Sequence, residues 1–335
     1  MERVRIGLVG CGGFGESHLQ AFRAVRNAQV AAVFDIDYSR AESTAVQFGI
    51  PTVCSSLDEI CALRDLDAID VVTPEQCHLE PALKALCAGK HVFVEKPLAT
   101  DLNDCARMIE ASSSAGRFLM VGHLLRFETK YAMLKDEIRA GRLGRVVSMH
   151  ARRNRPKTLL PLYGRTHPAL ENCIHDIDLM LWYVDRPVRR VRGWGRRATG
   201  GQHPDTFWGV LEFEGGAIGV VETIWLLPKP AGIALDDAFQ LVGGAGVANV
   251  LLLPGSFNLL RETGYEVPDV CYDPRVANSA RGALRDELAY FCDCLQDGRQ
   301  PAVITALEAK RAVRVVLALI ASAENEADVE ITEWD

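Results

Sequence analysis

Long hydrophobic runs are missing from this sequence, and no stretch approaches the roughly 18 consecutive apolar residues that a membrane-spanning helix requires. The segment Met1–Val9 also lacks the basic and extended apolar regions of a secretory signal peptide. Lysine and arginine number 37 against 44 aspartate and glutamate residues, and the net charge of -7 offers no excess of positive charge for neutralising phosphates. These absences argue against membrane and nucleic-acid partners and favour a cytoplasmic protein that acts on small molecules.

The cysteines do not show the spacing that indicates cysteine chemistry. The ten of them are scattered, include no CxxC pair and lie mostly inside apolar patterns. We therefore expect buried, reduced thiols, and we predict neither disulfides nor a metal site.

The length of the chain and a change in its pattern of apolar residues predict two domains. A chain of 335 residues exceeds the roughly 250 to 300 residues at which a single core stops growing. With 48% hydrophobic and 24% charged residues, the composition is that of an ordinary globular protein. The pattern of apolar residues changes after the first 122 residues. We therefore predict one domain in residues 1–122 and a second in residues 123–335.

The first of these regions alternates short apolar runs with segments whose apolar positions repeat every three or four residues. One such segment is preceded by Thr100 and Asp101 and ends near Gly116, which predicts a helix with a cap at each end. This alternation predicts a doubly wound parallel sheet with helices on both faces. The apolar runs are Val4–Val9, Val30–Phe34, Ile69–Val72, His91–Val94 and Phe118–Val121.

The second region is richer in β-forming stretches, with Gly and Pro between them. Glu214-Gly215-Gly216 predicts a hairpin turn. We predict an α+β domain with a mostly antiparallel, open-faced sheet: a helix near Ile174–Val184 covers one face, and the other face joins subunits into a dimer or tetramer. Two helices, near Leu284–Leu295 and Leu307–Ala323, close the chain. The predicted strands are Arg145–Arg153, Val188–Arg197, Phe207–Phe213, Ala217–Leu226 and Phe239–Val242.

A GxGxxG pattern lies directly between the first apolar run and the first helical segment. Gly10 permits a tight turn, Gly12 lets the backbone approach a pyrophosphate, and Gly15 allows close helix packing. The N-terminus of the following helix offers its amide groups to the anion. The alternative is an ordinary strand-to-helix turn. We predict a Rossmann domain in which the nucleotide is bound by Gly10, Gly12, Gly13, Phe14, Gly15, Asp35 and Ile36.

The acidic residue Asp35 ends the second apolar run, 20 residues after Gly15. Its carboxylate can accept both ribose hydroxyls of NAD and would repel the 2′-phosphate of NADP. NAD is therefore the predicted cofactor. Asp37 is expected to cap the following helix instead.

Two further motifs, Thr73-Pro74 with His78 and Glu95-Lys96-Pro97, each follow an apolar run. With the glycine-rich turn they resemble the GFO/IDH/MocA family, named after glucose-fructose oxidoreductase, inositol dehydrogenase and a rhizopine catabolism protein. The resemblance covers nearly the whole chain and implies an NAD-dependent dehydrogenase that acts on a secondary alcohol of a sugar or polyol. It implies that Thr73, Pro74 and His78 line the nicotinamide side, and that Glu95 and Pro97, the latter after a cis peptide bond, shape the turn that presents Lys96.

The stretch around His175 resembles the family's D-x-x-x-H motif, with Glu171 where an aspartate is usual. The resemblance implies that His175 is the base for the hydroxyl proton, that Lys96 holds the same oxygen, and that Glu171 orients the pair. On a helix, a polar face would carry Glu171, His175, Asp178 and Trp182, and a separate apolar face would carry Ile174, Ile177, Leu181 and Val184.

Other polar residues are candidates for the substrate side. His123 and Arg126 would either contact nicotinamide or substrate, or brace the domain junction. A basic cluster that includes Arg152, Asn154 and Arg155 would either bind an anionic group, as in a sugar phosphate or a nucleotide sugar, or form a solvated basic loop. Aminosugars are a further possible substrate class.

Two other functions are compatible with this sequence. An NAD-retaining glycosidase of the same fold would oxidise, eliminate and reduce its substrate again without net formation of NADH. A catalytically silent NAD-binding regulator would bind the cofactor without turnover. The presence of both Lys96 and His175 speaks against the regulator, whereas Glu171 in place of aspartate mildly supports it.

Overall fold

The computed structural model describes residues 3–228, 235–253, 257, 259–261 and 264–334. The chain forms two compact units, one of Met1–Phe127 with Tyr272–Lys310 and the other of Glu128–Cys271 with Arg311–Asp335. This division differs from the expected one into residues 1–122 and 123–335, because a late segment of the chain belongs to the first unit. Among the described residues, no helix combines the length and the apolar character needed to cross a membrane.

Six parallel strands form the sheet of the first unit: β1 (Val4–Val9), β2 (Ala28–Phe34), β3 (Thr52–Val53), β4 (Ala68–Val71), β5 (His91–Glu95) and β6 (Leu119–Gly122). Their order in the sheet is β3-β2-β1-β4-β5-β6. The order reverses between β1 and β4, and open α/β sheets bind ligands at the carboxyl ends of the strands beside such a point. The predicted doubly wound sheet is confirmed; only the two-residue strand β3 was too short for the pattern to reveal.

Helices connect these strands, and local side chains fix where the helices begin and end. The predicted caps of α5 are present, since the Asp101 side chain accepts a hydrogen bond from Asp104 N at 2.9 Å and Gly116 ends the helix with φ +60°. The helices are α1 (Gly13–Arg23), α2 (Tyr38–Phe48), α3 (Leu57–Ala62), α4 (Leu79–Cys87) and α5 (Leu102–Ala115).

The remaining elements follow in chain order. They are α6 (Thr129–Arg139), β7 (Val146–Asn154), α7 (Leu160–Tyr163), α8 (Ile174–Val184), β8 (Val188–Arg196), β9 (Thr206–Phe213), β10 (Ile218–Ile224), β11 (Asp236–Gly243), β12 (Val247–Leu253), β13 (Leu259–Arg261), β14 (Gly264–Glu266), β15 (Arg275–Val276), β16 (Ser279–Ala280), α9 (Ala283–Asp297), α10 (Ala306–Asn325) and β17 (Val329–Glu330).

The sheet of the second unit has seven strands in the order β12-β11-β7-β10-β9-β8-β17. All neighbouring strands are antiparallel except β7 and β10, which run parallel. Helix α8 packs against β7 and β10 on one face, where Met149 and Ala151 are buried, whereas His150 between them is exposed on the other face. The predicted hairpin joins β9 to β10, and Gly215 and Gly216 supply its positive φ angles of 86° and 87°.

Helix α9 explains why the first unit extends beyond residue 127. Its residues Leu288 and Phe291 are buried in the same core as Phe22 of α1 and as Ile6 and Phe93 of the sheet. Full burial of one such side chain stabilises a fold by about 1.5–3 kcal/mol. The amphipathic helix thus covers one face of the parallel sheet, although it lies far away in sequence.

Candidate functional site

The glycine-rich turn after β1 is shaped by two places that have no room for a side chain. A Cβ on Gly10, which has φ +103°, would lie 2.6 Å from the carbonyl oxygen of Val72, and a Cβ on Gly15 would lie 2.1 Å from the carbonyl oxygen of Gly10. The turn is therefore pressed against the end of β4 on one side and against its own helix on the other. This is the close packing that the sequence pattern predicts for these two positions.

Gly12 and Gly13 lie on the opposite, open side of this turn. A Cβ on either residue would meet no atom within 4 Å. Gly12 precedes α1 and provides no side-chain cap for its first amides, and Phe14 in the first turn is 42% exposed. The backbone is thus accessible to a pyrophosphate, and the amide groups of the helix N-terminus favour an anion.

The carboxylate of Asp35 is oriented by the backbone. Its Oδ2 accepts a hydrogen bond from Cys11 N and its Oδ1 accepts one from Asp37 N, both at 2.8 Å. Each carboxylate oxygen has two lone pairs, and Arg40 Nη1 lies 3.3 and 3.4 Å from the two oxygens. Ribose hydroxyls would therefore displace the guanidinium of Arg40, whose side chain is 49% exposed. Asp37 caps α2 by accepting from Arg40 N, as predicted. Its neighbour Ile36 is 95% exposed.

The two turns that follow β4 and β5 are tied together by His78. This buried imidazole lies 3.0 Å (Nε2) from the carbonyl oxygen of Thr73 and 2.9 Å (Nδ1) from the carbonyl oxygen of Pro97. Both ring nitrogens therefore face backbone carbonyl oxygens, and His78 links the two motifs. Its place on the nicotinamide side remains a prediction. Pro74 beside it is exposed. The hydroxyl oxygen of Thr73 is buried and has no hydrogen-bond partner among the described residues. This hydroxyl is therefore available for a hydrogen bond to a polar group of a cofactor.

The turn that carries Lys96 follows β5 directly. The predicted cis peptide bond is present between Lys96 and Pro97. Glu95 is 4% exposed, and its Oε2 accepts a hydrogen bond from the backbone N–H of Lys96 at 3.1 Å. Glu95 therefore lies behind the turn and shapes it, as the resemblance implied, whereas Lys96 is half-buried.

Sequence reasoning missed two residues behind this turn, His18 and Asp70. His18 is fully buried in α1, with Nδ1 2.9 Å from Asp70 Oδ2 and Nε2 3.2 Å from Glu95 Oε1. The available signal was Asp70 itself, a carboxylate inside the fully buried four-residue strand β4. A buried charge of this kind requires a partner.

His123 and Arg126 follow β6 and are both buried in the first unit. The guanidinium of Arg126 donates to the carbonyl oxygen of Val303 at 2.7 Å and to Glu308 Oε1 at 2.8 Å. Arg126 thus binds the segment that leads into α10 and the first turn of that helix, both within its own unit. These contacts support a bracing role for Arg126, and its proposed contact with nicotinamide or substrate remains a prediction.

In the second unit, Glu171 and His175 lie on two different kinds of helix. Residues Ala169–Cys173 form a π-helical turn and α8 begins at Ile174. Both Glu171 and His175 are half-buried. The predicted separation of a polar and an apolar face is wrong, because Asp178, which was assigned to the polar face, is 1% exposed. The helix is buried nearly all round, and the wider π turn changes the angle between residues four apart.

The basic cluster at the end of β7 is neutralised by carboxylates. Arg153 is fully buried and pairs with Asp176 through two hydrogen bonds of 2.8 and 2.9 Å and with Asp237 at 2.9 Å. Arg155 also pairs with Asp237, at 2.6 Å. The alternative of a solvated basic loop is therefore wrong for Arg153.

Arg152 and Asn154, the predicted substrate residues of this cluster, lie on the face of the sheet away from α8. Arg152 pairs with Asp236 at 2.9 Å, and Asn154 donates to Glu222 at 3.0 Å. Their contact with substrate remains a prediction.

The cysteines occur as expected for reduced thiols. All ten are free, and only Cys77 and Cys87 are exposed. Burial raises the pKa of Cys11, beside the glycine-rich turn, to about 12, so its thiol is not a nucleophile at neutral pH.

Comparison with known proteins matches both units to one family. Residues 4–123 match GFO/IDH/MocA, described as an oxidoreductase family with an NAD-binding Rossmann fold, and residues 131–249 match the GFO/IDH/MocA C-terminal domain. Inositol 2-dehydrogenase of Acidothermus cellulolyticus is 37% identical over 205 residues, and this match spans only 60% of either chain. Inositol 2-dehydrogenase 2 of Saccharopolyspora erythraea is 32% identical over 289 residues, which cover 84% of this chain and 83% of that protein.

A solved structure shows the same fold. The crystal structure of myo-inositol 2-dehydrogenase from Lactobacillus plantarum matches with a TM-score of 0.87 and 20% identity, covering 99% of this chain and 100% of that chain.

Proposed function

Because the chain belongs to the GFO/IDH/MocA family of oxidoreductases, we propose that it transfers a hydride between NAD and a carbon that bears a secondary hydroxyl group in a sugar or polyol. The observation that carries this proposal is a series of contacts across the carboxyl ends of β1, β4 and β5. Gly10 is packed against Val72, and His78 links Thr73 to Pro97. Lys96 is thereby held beside the nucleotide-binding turn, where an alcohol must lie to exchange a hydride.

The reaction requires a group that stabilises charge on the substrate oxygen and a group that takes its proton. The bound nicotinamide supplies the hydride acceptor. We assign to Lys96 the binding of the hydroxyl oxygen, because an ammonium stabilises the negative charge that develops there. We assign the proton to His175, since an imidazole accepts a proton near neutral pH. Glu171, in the π-helical turn directly before α8, is assigned the orientation of that ring.

Two observations favour NAD and an uncharged polyol. Asp35 presents an oriented carboxylate that would repel a 2′-phosphate. The guanidinium groups of Arg152, Arg153 and Arg155 pair with carboxylates, so this cluster does not provide an anion site. The relatives named above are inositol 2-dehydrogenases, and a cyclic polyol such as inositol is therefore our first candidate.

The test is turnover of NAD with a panel of myo-, scyllo- and chiro-inositol, glucose and glucose 6-phosphate, followed by the absorbance of NADH. We expect an uncharged polyol to give the highest kcat/KM. Replacing Lys96→Ala should lower kcat by about a hundredfold to a thousandfold, as for loss of an oxyanion donor, and should leave the Kd of NAD nearly unchanged.

Lys84→Ala is the matched control, because the carboxylates that Lys84 pairs with, Asp58 and Glu80, are exposed at the protein surface. Absence of NADH with every compound, although calorimetry shows NAD binding, would contradict the proposed oxidoreductase. Full activity of the Lys96 variant would remove that residue from the reaction.

We propose as well that the open face of the seven-stranded sheet joins subunits into a dimer or tetramer. Trp194 and Trp208 are directly paired across β8 and β9 and are 42% and 38% exposed. Leu251 at the other end of the same row of paired residues is 62% exposed. Large exposed apolar side chains on one face are typical of a protein–protein interface.

A further inference from the structure

A buried group of three ionisable side chains joins the nucleotide-binding helix to the turn that carries Lys96. His18 comes from α1, Asp70 from β4 and Glu95 from the end of β5. Their side chains are at most 5% exposed. They therefore interact with one another at low dielectric and not with solvent.

The Glu95 carboxylate is the centre of this arrangement. One oxygen faces His18 Nε2 at 3.2 Å, and the other accepts the backbone N–H of Lys96 at 3.1 Å. The carboxylate fits there because residue 122 of β6 is a glycine: a Cβ on Gly122 would lie 2.5 Å from Glu95 Oε1. The carboxylate thus has one position, which is defined by β6 on one side and His18 on the other.

Both ring nitrogens of His18 face carboxylate oxygens, and a ring donates from both nitrogens only when it is protonated. Burial by itself would lower the pKa of His18, but the charges and hydrogen bonds of Asp70 and Glu95 outweigh it and raise the pKa to about 10. Burial also raises the pKa of Asp70, whose ionised form is stabilised by His18. The imidazolium is therefore the form of His18 at neutral pH.

We propose that His18 is a positioning residue for Lys96: its imidazolium fixes the Glu95 carboxylate, which fixes the backbone amide of Lys96. The proposal rests on the proposed function in one respect, that Lys96 binds the substrate oxygen. A neutral side chain at residue 18 would leave Glu95 without a counter-charge. The carboxylate would then be free to move, and the Lys96 turn would lose one of its supports.

The first test is the kinetics of His18→Gln, which can donate to one carboxylate but never carries charge. We expect kcat to fall by about tenfold to a hundredfold, the scale of a displacement near 1 Å of a reacting group, while the Kd of NAD changes less than about twofold. Lys90→Gln is the matched control. It removes another buried cation of the same unit, whose Nζ donates to the carbonyl oxygens of Leu63 and Leu66, and it should lower Tm without lowering kcat.

The pH profile separates positioning from general loss of structure. The pKa of His18 in the folded protein lies above its ordinary value of 6.5. The stabilisation that the imidazolium gives to the folded cluster is therefore complete below pH 6.5 and is lost as the pH rises through about 10. Asp70→Asn keeps the shape of the group His18–Asp70–Glu95 but removes one of the two negative charges that raise the pKa of His18. We therefore expect kcat of this variant to fall at a lower pH than kcat of the wild type. If His18→Gln does not fold, Asp70→Asn takes its place in the test.

The second test does not depend on turnover. Reductive methylation with ¹³C gives each lysine an NMR signal, and Lys96→Arg identifies that of Lys96. The signal should shift in His18→Gln and Asp70→Asn and stay in place in Lys90→Gln. If the wild type oxidises no polyol, the proposed function fails, and the NMR signal of Lys96 then tests by itself whether His18 positions Lys96. An unshifted Lys96 signal, or unchanged kcat in both cluster variants of an active enzyme, would overturn it.

Discussion

At Asp35, two backbone amides hold the carboxylate at 2.8 Å, and Arg40 Nη1 donates to the same two oxygens over the longer distances of 3.3 and 3.4 Å. Arg40 also pairs with Asp37 at 3.2 Å. A guanidinium that could bind a phosphate is thus already present at the end of β2, but it is neutralised by two carboxylates. The choice of cofactor therefore depends on Asp35 more than on the presence of a cation.

We predict that Asp35→Ser combined with Ile36→Arg shifts the preference toward NADP. The double variant removes the repulsive carboxylate, leaves Arg40 paired with Asp37 alone and adds a second guanidinium at a residue that is 95% exposed. One hydrogen bond to a charged group is worth about 1.5–3 kcal/mol, so the NADP to NAD ratio of kcat/KM should rise by roughly tenfold to a hundredfold. Ile36→Gln is the control without a new charge, and a ratio equal to that of the wild type in the double variant would show that the ribose lies elsewhere.

Single residues differ in how far the sequence alone predicts them. Gly15 follows from local chemistry, because the close approach that excludes a side chain there is to Gly10 of the same strand–turn–helix segment. Gly10 is predicted by the turn pattern as well, although the atom that excludes its side chain belongs to Val72, after another strand. His18 is not predicted in this way, since its partners Asp70 and Glu95 lie 52 and 77 residues away in sequence. A histidine inside an amphipathic helix gives no sign of such partners until the sheet order is known.

Among the elements, α8 also shows that local sequence patterns predict a helix but not its contacts with distant parts of the chain. Apolar periodicity predicts its bounds, Ile174–Val184, as the structure has them. It does not predict the π turn before it, which sets the direction of Glu171, nor the burial of Asp176 and Asp178. Asp176 is buried because Arg153 of β7 binds both of its oxygens, and that pairing joins the helix to the sheet.

We predict that Arg153→Met lowers the free energy of unfolding by about 3–5 kcal/mol, because it leaves Asp176 buried without its cation and leaves Asp237 with Arg155 alone. The measurement is chemical denaturation followed by circular dichroism. Arg189→Met serves as the control, since Arg189 pairs with Glu212 at the surface and exposed pairs contribute about 0–1 kcal/mol. Equal stability of the two variants would mean that the buried ion pairs do not hold α8 in place.

At the scale of the whole molecule, the two sheets were predictable and the division of the chain was not. Strand patterns are local, and they gave a parallel sheet followed by a mostly antiparallel one. The assignment of Tyr272–Lys310 to the first unit depends on which apolar face α9 meets. An amphipathic helix does not encode its partner in its own periodicity.

The proposed subunit interface is tested at this scale. Light scattering after size-exclusion chromatography should give a mass of two or four chains for the wild type. Trp208→Glu places a charge on the open face of the sheet, and we expect it to dissociate the assembly into single chains because an unpaired charge cannot be buried there. Val46→Glu, at an 85% exposed position of α2, should leave the mass unchanged. A wild type that elutes as one chain at every concentration would rule the interface out.

The packing of α9 has a consequence for the order of events at the ribosome. Phe93 and Met120 are synthesised long before Leu288 and Phe291, the side chains that cover the same core. Part of the apolar surface of the parallel sheet therefore stays uncovered while the intervening segment from Glu128 to Cys271 is translated. Until α9 packs on the sheet, this exposed apolar surface makes the unfinished chain prone to aggregation.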